Sequence, residues 1–202
     1  ESTESPYLDR KWMEEFGGLI GNRIQDMIGV DGLTEKDLTP YFYPSDDEIK
    51  KANITPLFLG SYFFWNAKKQ LEVVKKIGFK VKEDGPVEGT YTNYENLDEK
   101  IHGLHDYLKF VKYGFGRATD HASIDIRNKR ITRKEGIQLV NKFDGKYPHY
   151  GVQSFIEYSG LTKGEIDDVI DSFTNSVIFK QNEDGTFKKD EFGNLIKLFK
   201  IS

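Results

Sequence analysis

Apolar residues along the chain follow two different patterns, and the change from one to the other predicts two parts. Near the start, Trp12, Met13, Phe16, Ile20, Ile24, Met27 and Ile28 keep a helical period interrupted by Gly17-Gly18, which predicts two short helices. Ser45-Asp46-Asp47-Glu48 has the composition of a capping box, in which the serine hydroxyl and the glutamate carboxylate take up free amides of a first turn. A short helix is therefore expected from Asp46. Residues 55 to 64 are almost continuously apolar, which predicts a buried strand. A helical period through Ala67, Leu71, Val74 and Ile77 follows, stops at Gly78, and gives way to the alternating Phe79-Lys80-Val81-Lys82. Strand, helix and strand in succession predict a βαβ unit.

Gly85-Pro86 and Gly89 punctuate the chain next, and the expected boundary lies there, with an α/β part over residues 1–84 and a mainly helical part over 85–202. Leu97, Ile101, Leu104, Leu108, Val111 and Phe115 are spaced four, three, four, three and four apart. That stripe predicts one helix of about five turns over residues 96–115. Thr132-Arg-Lys-Glu135 and Thr162-Lys-Gly-Glu165 are two further capping boxes. They should open helices that bury Ile137, Val140 and Phe143, and then Ile166, Val169, Ile170 and Phe173. Near the end, Val177-Ile178-Phe179 and Thr186-Phe187-Lys188 flank the turn-forming Asn182-Glu183-Asp184-Gly185, which predicts a small β-hairpin near residues 176–190.

Composition narrows the function classes. At 202 residues the chain can bury an ordinary core without covalent staples. It has no cysteine, which excludes disulfides, thiolate metal sites and cysteine nucleophiles from these residues. The formal charge of -4 comes from 33 acidic and 29 basic side chains interleaved along the chain, so no nucleic-acid partner is expected. The longest apolar run falls well short of the roughly 20 residues a membrane helix needs, and no signal-peptide pattern opens the sequence. No membrane span and a cytoplasmic location are the expectations.

The candidate chemistry concentrates in Lys109 to Asp120, which reads KFVKYGFGRATD. Two glycines should end the long helix there, and Thr119 or Asp120 is suited to cap the next one. Arg117 would then sit in a tight corner at a helix N-terminus, where unpaired amides favour an anion. Lys112 and Arg127 could add to a grip on phosphate or carboxylate. The same residues also admit an internal ion pair, with Asp120 capping the helix and holding Arg117. Tyr62, Trp65, Tyr91 and Tyr94 could stack on a sugar or a nucleotide base, although core packing is the commoner fate of such residues. His102 and His105, with Asp98 and Asp106 nearby, superficially permit a metal, but local pairing explains them as well, and no metal site is expected. A calcium loop at residues 180–191 would need an acidic first ligand where Lys180 stands.

Several of these runs, taken together and in order, carry a resemblance. They are Leu59-Gly60-Ser-Tyr-Phe-Phe-Trp65, Gly78-Phe79, Glu88-Gly-Thr-Tyr-Thr-Asn-Tyr94, Leu97-Asp98-Glu-Lys-Ile101 and Lys112-Tyr-Gly-Phe-Gly-Arg-Ala-Thr-Asp120. Asp125-Ile-Arg127, Ile131-Thr-Arg133, Leu139-Val140 and Asp144-Gly145-Lys-Tyr-Pro148 continue the series. Over roughly residues 55–175 the chain resembles the C-terminal part of the bacterial N-acetyl sugar amidotransferases. The resemblance implies an α/β remnant of a PP-loop domain, of the adenine nucleotide α-hydrolase-like kind, followed by a helical C-terminal region. It also implies an ATP- and magnesium-dependent enzyme of lipopolysaccharide, O-antigen or flagellin sugar biosynthesis. Such an enzyme acts on a nucleotide-linked N-acetyl sugar and takes ammonia from a glutaminase/cyclase-type partner. An anion or substrate role for Lys112, Arg117, Thr119, Asp120 and Arg127 follows from the same likeness. The family's Ser-Gly-Gly-x-Asp-Ser nucleotide loop and its cysteine pairs are absent from these residues, and Gly17-Gly18-Leu-Ile-Gly21 is no substitute because it follows a helical run. The expectation is a C-terminal piece that binds no nucleotide by itself. The alternative is a non-catalytic helical module that docks the glutaminase or another subunit.

Overall fold

A computed structural model describes residues 6–17 and 21–199. The chain divides into two compact units, residues 1–70 and 71–202. In the first unit, helix α1 (Arg10–Phe16) starts at Asp9, whose carboxylate accepts from the amide of Trp12, and ends at Gly17. The second helix expected there is a 3-10 turn at Ile24–Met27, and Gly18 to Ile20 lie outside the described residues. Thr34 and Asp37 form a capping box ahead of the one-turn α2 (Glu35–Leu38), and the expected box of Ser45 and Glu48 opens α3 (Asp46–Lys51).

The buried strand expected over residues 55–64 does not form. Leu57 makes one isolated bridge with Tyr7, and Leu59–Ser61 is a 3-10 turn. Phe64 and Trp65 are 79% and 72% exposed, and Leu59, Tyr62 and Phe63 are exposed too. A continuous apolar run marks a surface that can be covered, but a strand also needs neighbours to complete its backbone ladder, and one bridge provides none. Helix α4 (Ala67–Lys76) forms as expected, with Asn66 Oδ1 accepting from the amide of Lys69. The strand expected at residues 79–82 is replaced by an irregular exchange, in which the Lys82 amide donates to Asn93 O and Asn93 Nδ2 donates to Lys82 O. The described residues form no strand, so no βαβ unit is present among them.

The second unit is helical. Helix α5 (His102–Tyr113) begins later than the apolar stripe predicts. Asn96 turns the chain with a left-handed backbone (φ 51°), and Glu99 takes up the Ile101 amide in the turn before the helix. Leu97 and Ile101 therefore precede the helix. It is followed by α6 (Arg117–Arg127), α7 (Arg133–Phe143), α8 (His149–Ser159) and α9 (Lys163–Phe173). The two capping boxes at Thr132 and Thr162 form as expected. Helices α5, α8 and α9 enclose the core of Leu104, Tyr107, Phe110, Val111, Val152, Ile166 and Ile170, which Tyr147, Phe179 and Leu195 complete. Helix α7 packs on α6.

The hairpin expected near residues 176–190 is not a ladder. Isolated antiparallel bridges join Gln181 to Phe187, Lys189 to Leu195 and Phe179 to Lys197. Each turn is closed by its own side chains, as where Asp184 accepts from both the amide and the hydroxyl of Thr186. Buried Phe179 and Leu195 tether this segment to the helices instead of to a sheet.

Candidate functional site

The corner between α5 and α6 forms because Gly114 adopts a left-handed backbone (φ 78°) and its amide closes on Phe110 O at 2.7 Å. Helix α6 then starts at Arg117. Neither Thr119 nor Asp120 caps it, as the sequence had suggested. The cap is Asp144, just past the end of α7: its carboxylate accepts from the Gly116 amide at 2.8 Å, the Thr119 hydroxyl at 2.7 Å and the Thr119 amide at 3.4 Å. A carboxylate of the chain itself thus occupies the position where a helix N-terminus would attract an external anion.

Arg117 points the other way, toward α5. Its Nε donates to Asp106 at 3.1 Å and its Nη2 lies 2.7 Å from His102 Nε2. Asp120, the partner that sequence reasoning offered to Arg117, instead pairs with Lys109. The same His102 nitrogen lies 2.6 Å from Asn96 Nδ2 and 3.0 Å from Asp106 Oδ2, while Nδ1 stands 3.4 Å from Glu99. Two donors and one carboxylate surround Nε2, so either protonation state of the ring finds a partner. This is an arrangement suited to handling a proton. Arg117 keeps its side chain 28% exposed, whereas Asp106 is buried.

A second polar chain adjoins the first. Buried Thr90 lies 2.6 Å from His121 Nδ1, and His121 Nε2 lies 2.6 Å from Glu95. That hydrogen bond, aided by the charges of His121, Arg117 and His102, lowers the Glu95 carboxyl below its ordinary value despite the opposing effect of burial. Beside it, Tyr91 donates to Asp125 at 3.0 Å, and Arg130 holds the other oxygen of Asp125 at 2.6 Å. Burial, and then the bond to Asp125, push the Tyr91 phenol well above its usual range; burial and the charge of Glu95 raise Tyr94. Both tyrosines are therefore neutral hydrogen-bonding groups at physiological pH. Outward from these networks, His102, Asn96 and Glu99 line a cleft of about 610 Å³ that extends to Val81 and Tyr150.

The other expected site residues are dispersed. Lys112 sits in the last turn of α5 with its ammonium 4.3 Å from the centre of the Phe173 ring. Arg127, exposed at the far end of α6, lies about 15 Å along the helix from Arg117. Tyr62 and Trp65 belong to the first unit, whereas Tyr91 and Tyr94 belong to the second. His105 stacks on His102 at 5.9 Å, and no group of three metal-ligating residues is found among the described residues.

Glu88, Thr90, Glu95, His121 and Asp144 were not singled out by spacing. Their partners lie 25 to 63 residues away, too far for any local pattern to show. Glu88, Thr90 and Asp144 entered only through runs that contribute to the resemblance, Glu88-Gly-Thr-Tyr and Asp144-Gly145-Lys-Tyr-Pro148.

Comparison with known proteins returned no match among curated proteins. A family model described as LPS biosynthesis protein WbpG-like, C-terminal domain, matches residues 88–196, just over half of the 202 residues. Both polar chains and the α5–α6 corner fall inside that span, and on this match the chain belongs to the WbpG-like C-terminal-domain family of lipopolysaccharide biosynthesis proteins.

Proposed function

We propose that this chain is the substrate-facing part of an ATP-dependent N-acetyl sugar amidotransferase of lipopolysaccharide sugar biosynthesis. In this reading it works beside a PP-loop nucleotide site and a glutaminase-type supplier of ammonia. The acetamido oxygen of the sugar attacks the α-phosphorus of ATP and pyrophosphate leaves. Ammonia then adds to the activated carbon and AMP leaves, giving an acetamidino group. An amide oxygen leaves poorly without such activation. The observation that carries the reading is the Asn96, His102, Asp106 and Arg117 cluster at the edge of a cleft, within a region that belongs to a lipopolysaccharide biosynthesis family. In that setting Arg117 orients His102, and His102 exchanges a proton with the acetamido nitrogen or the incoming ammonia. Lys112, Thr119, Asp120 and Arg127 are left with supporting roles at most, because each is turned to a local partner or stands apart from the cleft. In this reading no ATP step is assigned to these residues. The reading assigns that step elsewhere because the family's Ser-Gly-Gly-x-Asp-Ser loop is not in this sequence.

The second reading is a docking module for the glutaminase or another subunit, and the exposed run of Leu59, Phe63, Phe64 and Trp65 favours it. One experiment separates the two. The protein as its gene encodes it is incubated with ATP, magnesium, ammonia and a series of UDP- or CMP-linked N-acetyl sugars, and AMP is followed. The catalytic reading expects sugar-dependent AMP release that His102→Ala reduces at least tenfold. Release that is indifferent to His102 and lost only with Phe64→Asp and Trp65→Asp in the presence of the glutaminase would favour docking.

A further inference from the structure

Charge is distributed unevenly along the first unit. Residues 1–48 hold twelve acidic and four basic side chains, whereas residues 49–70 hold Lys50, Lys51, Lys68 and Lys69 and no acidic one. That second stretch also carries the exposed apolar run. Phe58 turns inward, its ring meeting Trp12 edge-on at 4.8 Å between centroids, while Leu59, Tyr62, Phe63, Phe64 and Trp65 are exposed. The backbone of the run is already satisfied: Ser61 donates to Phe58 O at 3.0 Å, and Tyr62 and Phe63 donate to Leu59 O at 3.0 and 3.1 Å. A partner that adds a strand would find those donors taken, so side chains must make the contact. Asn66 Oδ1 accepts from the Lys69 amide at 3.2 Å, which places Lys69 about one turn past Trp65 at the start of α4. Lys50, Lys51 and Lys69 are exposed, and among the described residues no carboxylate is paired with any of them.

We infer that residues 59–65, with the lysines that flank them, are a peripheral docking surface for an anionic phospholipid bilayer. Trp and Tyr rings favour the headgroup level, Leu and Phe reach the acyl boundary, and lysines gain from the negative surface. Lysine is depleted at protein–protein interfaces, whereas at a bilayer its stem lies along apolar groups and its ammonium stays among the headgroups. Among the described residues no helix is long and apolar enough to cross a membrane, so the contact is made from one side. With a formal charge of -4 the whole chain is not drawn to an anionic surface, and attachment depends on this local set. At about 0.15 M salt, exposed acidic side chains more than roughly 8 Å away are largely screened. The inference is independent of the reaction proposed above, and it gives the run a lipid occupant in place of the subunit of the second reading.

Sedimentation with vesicles of the protein as its gene encodes it tests the inference. One set of vesicles contains equal parts of phosphatidylglycerol and phosphatidylcholine, the other phosphatidylcholine alone. The anionic vesicles should bind at least tenfold more tightly than the neutral ones, and hydrogen exchange should slow at the amides of residues 59–69 when they are present. Phe64→Asp with Trp65→Asp should reduce that binding at least tenfold. Lys50→Glu with Lys69→Glu should reduce it at least threefold, whereas Lys50→Arg with Lys69→Arg should keep it. All four side chains are exposed, so melting should stay within a few degrees of the parent, and Phe64→Ser provides a milder variant with the same direction of effect. No sedimentation, equal affinity for the two vesicle types, or anionic binding that survives Phe64→Asp with Trp65→Asp would overturn the inference. A dimer in solution that the same double variant dissociates would overturn it too, because a second copy would then cover the run. Loss of glutamine-driven AMP release in that variant without lipid would give the run to the glutaminase instead.

Discussion

Replacing Asp144 with alanine removes one carboxylate and three hydrogen bonds, from the Gly116 amide and from the amide and hydroxyl of Thr119. Loss of a helix-capping side chain costs about 1 kcal/mol and up to about 2. Loss of a negative charge from a helix N-terminus adds about 0.3–1 kcal/mol. Asp144 joins the end of α7 to the start of α6, so the cost falls on the packing of the two helices as well as on the cap, and the sum is roughly 2–3 kcal/mol. At about 3–5 °C per kcal/mol for a unit of this size, melting should fall by roughly 6–15 °C. Asp144→Asn keeps the acceptor and loses the charge, so about 1 kcal/mol and a drop of a few degrees are expected. Differential scanning calorimetry of the two variants gives both numbers, and amide exchange should show Gly116 and Thr119 opening first in the alanine variant. Alanine melting within about 1 °C of the parent, or asparagine costing as much as alanine, would refute the capping argument.

Gly145→Ala should be more damaging still: a Cβ there would stand 2.1 Å from Phe110 Cζ, on a backbone at φ 69°, so loss of several kcal/mol in urea unfolding is expected. Leu104→Asp places a carboxylate in the core of the second unit and should cost a similar several kcal/mol, read as a lowered denaturation midpoint. Glu95 has its folded pKa held below the ordinary value of 4.5 by His121. Its contribution is therefore fully present above about pH 4.5 and is lost as pH falls through the lower folded value. Glu95→Gln should flatten that acid limb of stability, measured by melting from pH 7 to 3.

Much of the second unit was legible because its signals are local. Capping boxes at Thr132 and Thr162 and the glycines after α5 need only neighbours within a few residues, whereas of the apolar faces that follow the boxes Val140, Ile166 and Ile170 are buried and Val169 and Phe173 stay exposed. The strand expected in the first unit was misread for the converse reason, although the box at Ser45 was legible there. A continuous apolar run at residues 55–64 predicts burial, but a strand needs a pairing partner, which a local run does not specify, and here the run stays largely exposed. The Gly-Phe-Gly-Arg run put Arg117 at the start of a helix, and α6 does begin there. Its partners were misassigned, because Asp106 and His102 lie a helix earlier and Asp144 a helix later, and they outcompete the adjacent Asp120. Lys109, eleven residues before Asp120, takes that carboxylate instead.

The most direct measurement pairs melting with sugar-dependent AMP release for Arg117→Lys, Arg117→Ala, Asp106→Asn and the double variant Arg117→Ala/Asp106→Asn, in the protein as its gene encodes it. Lysine cannot reproduce the planar contact that spans Asp106 and His102, so Arg117→Lys should melt within a few degrees of the parent while AMP release falls at least tenfold. Asp106→Asn should lower both, since it leaves the guanidinium without its buried partner. Normal melting with a collapsed rate for Arg117→Lys is the result the account predicts. Lowered melting of the single variants, partly recovered in the double variant and accompanied by an unchanged rate, would make Arg117–Asp106 a structural ion pair and contradict it.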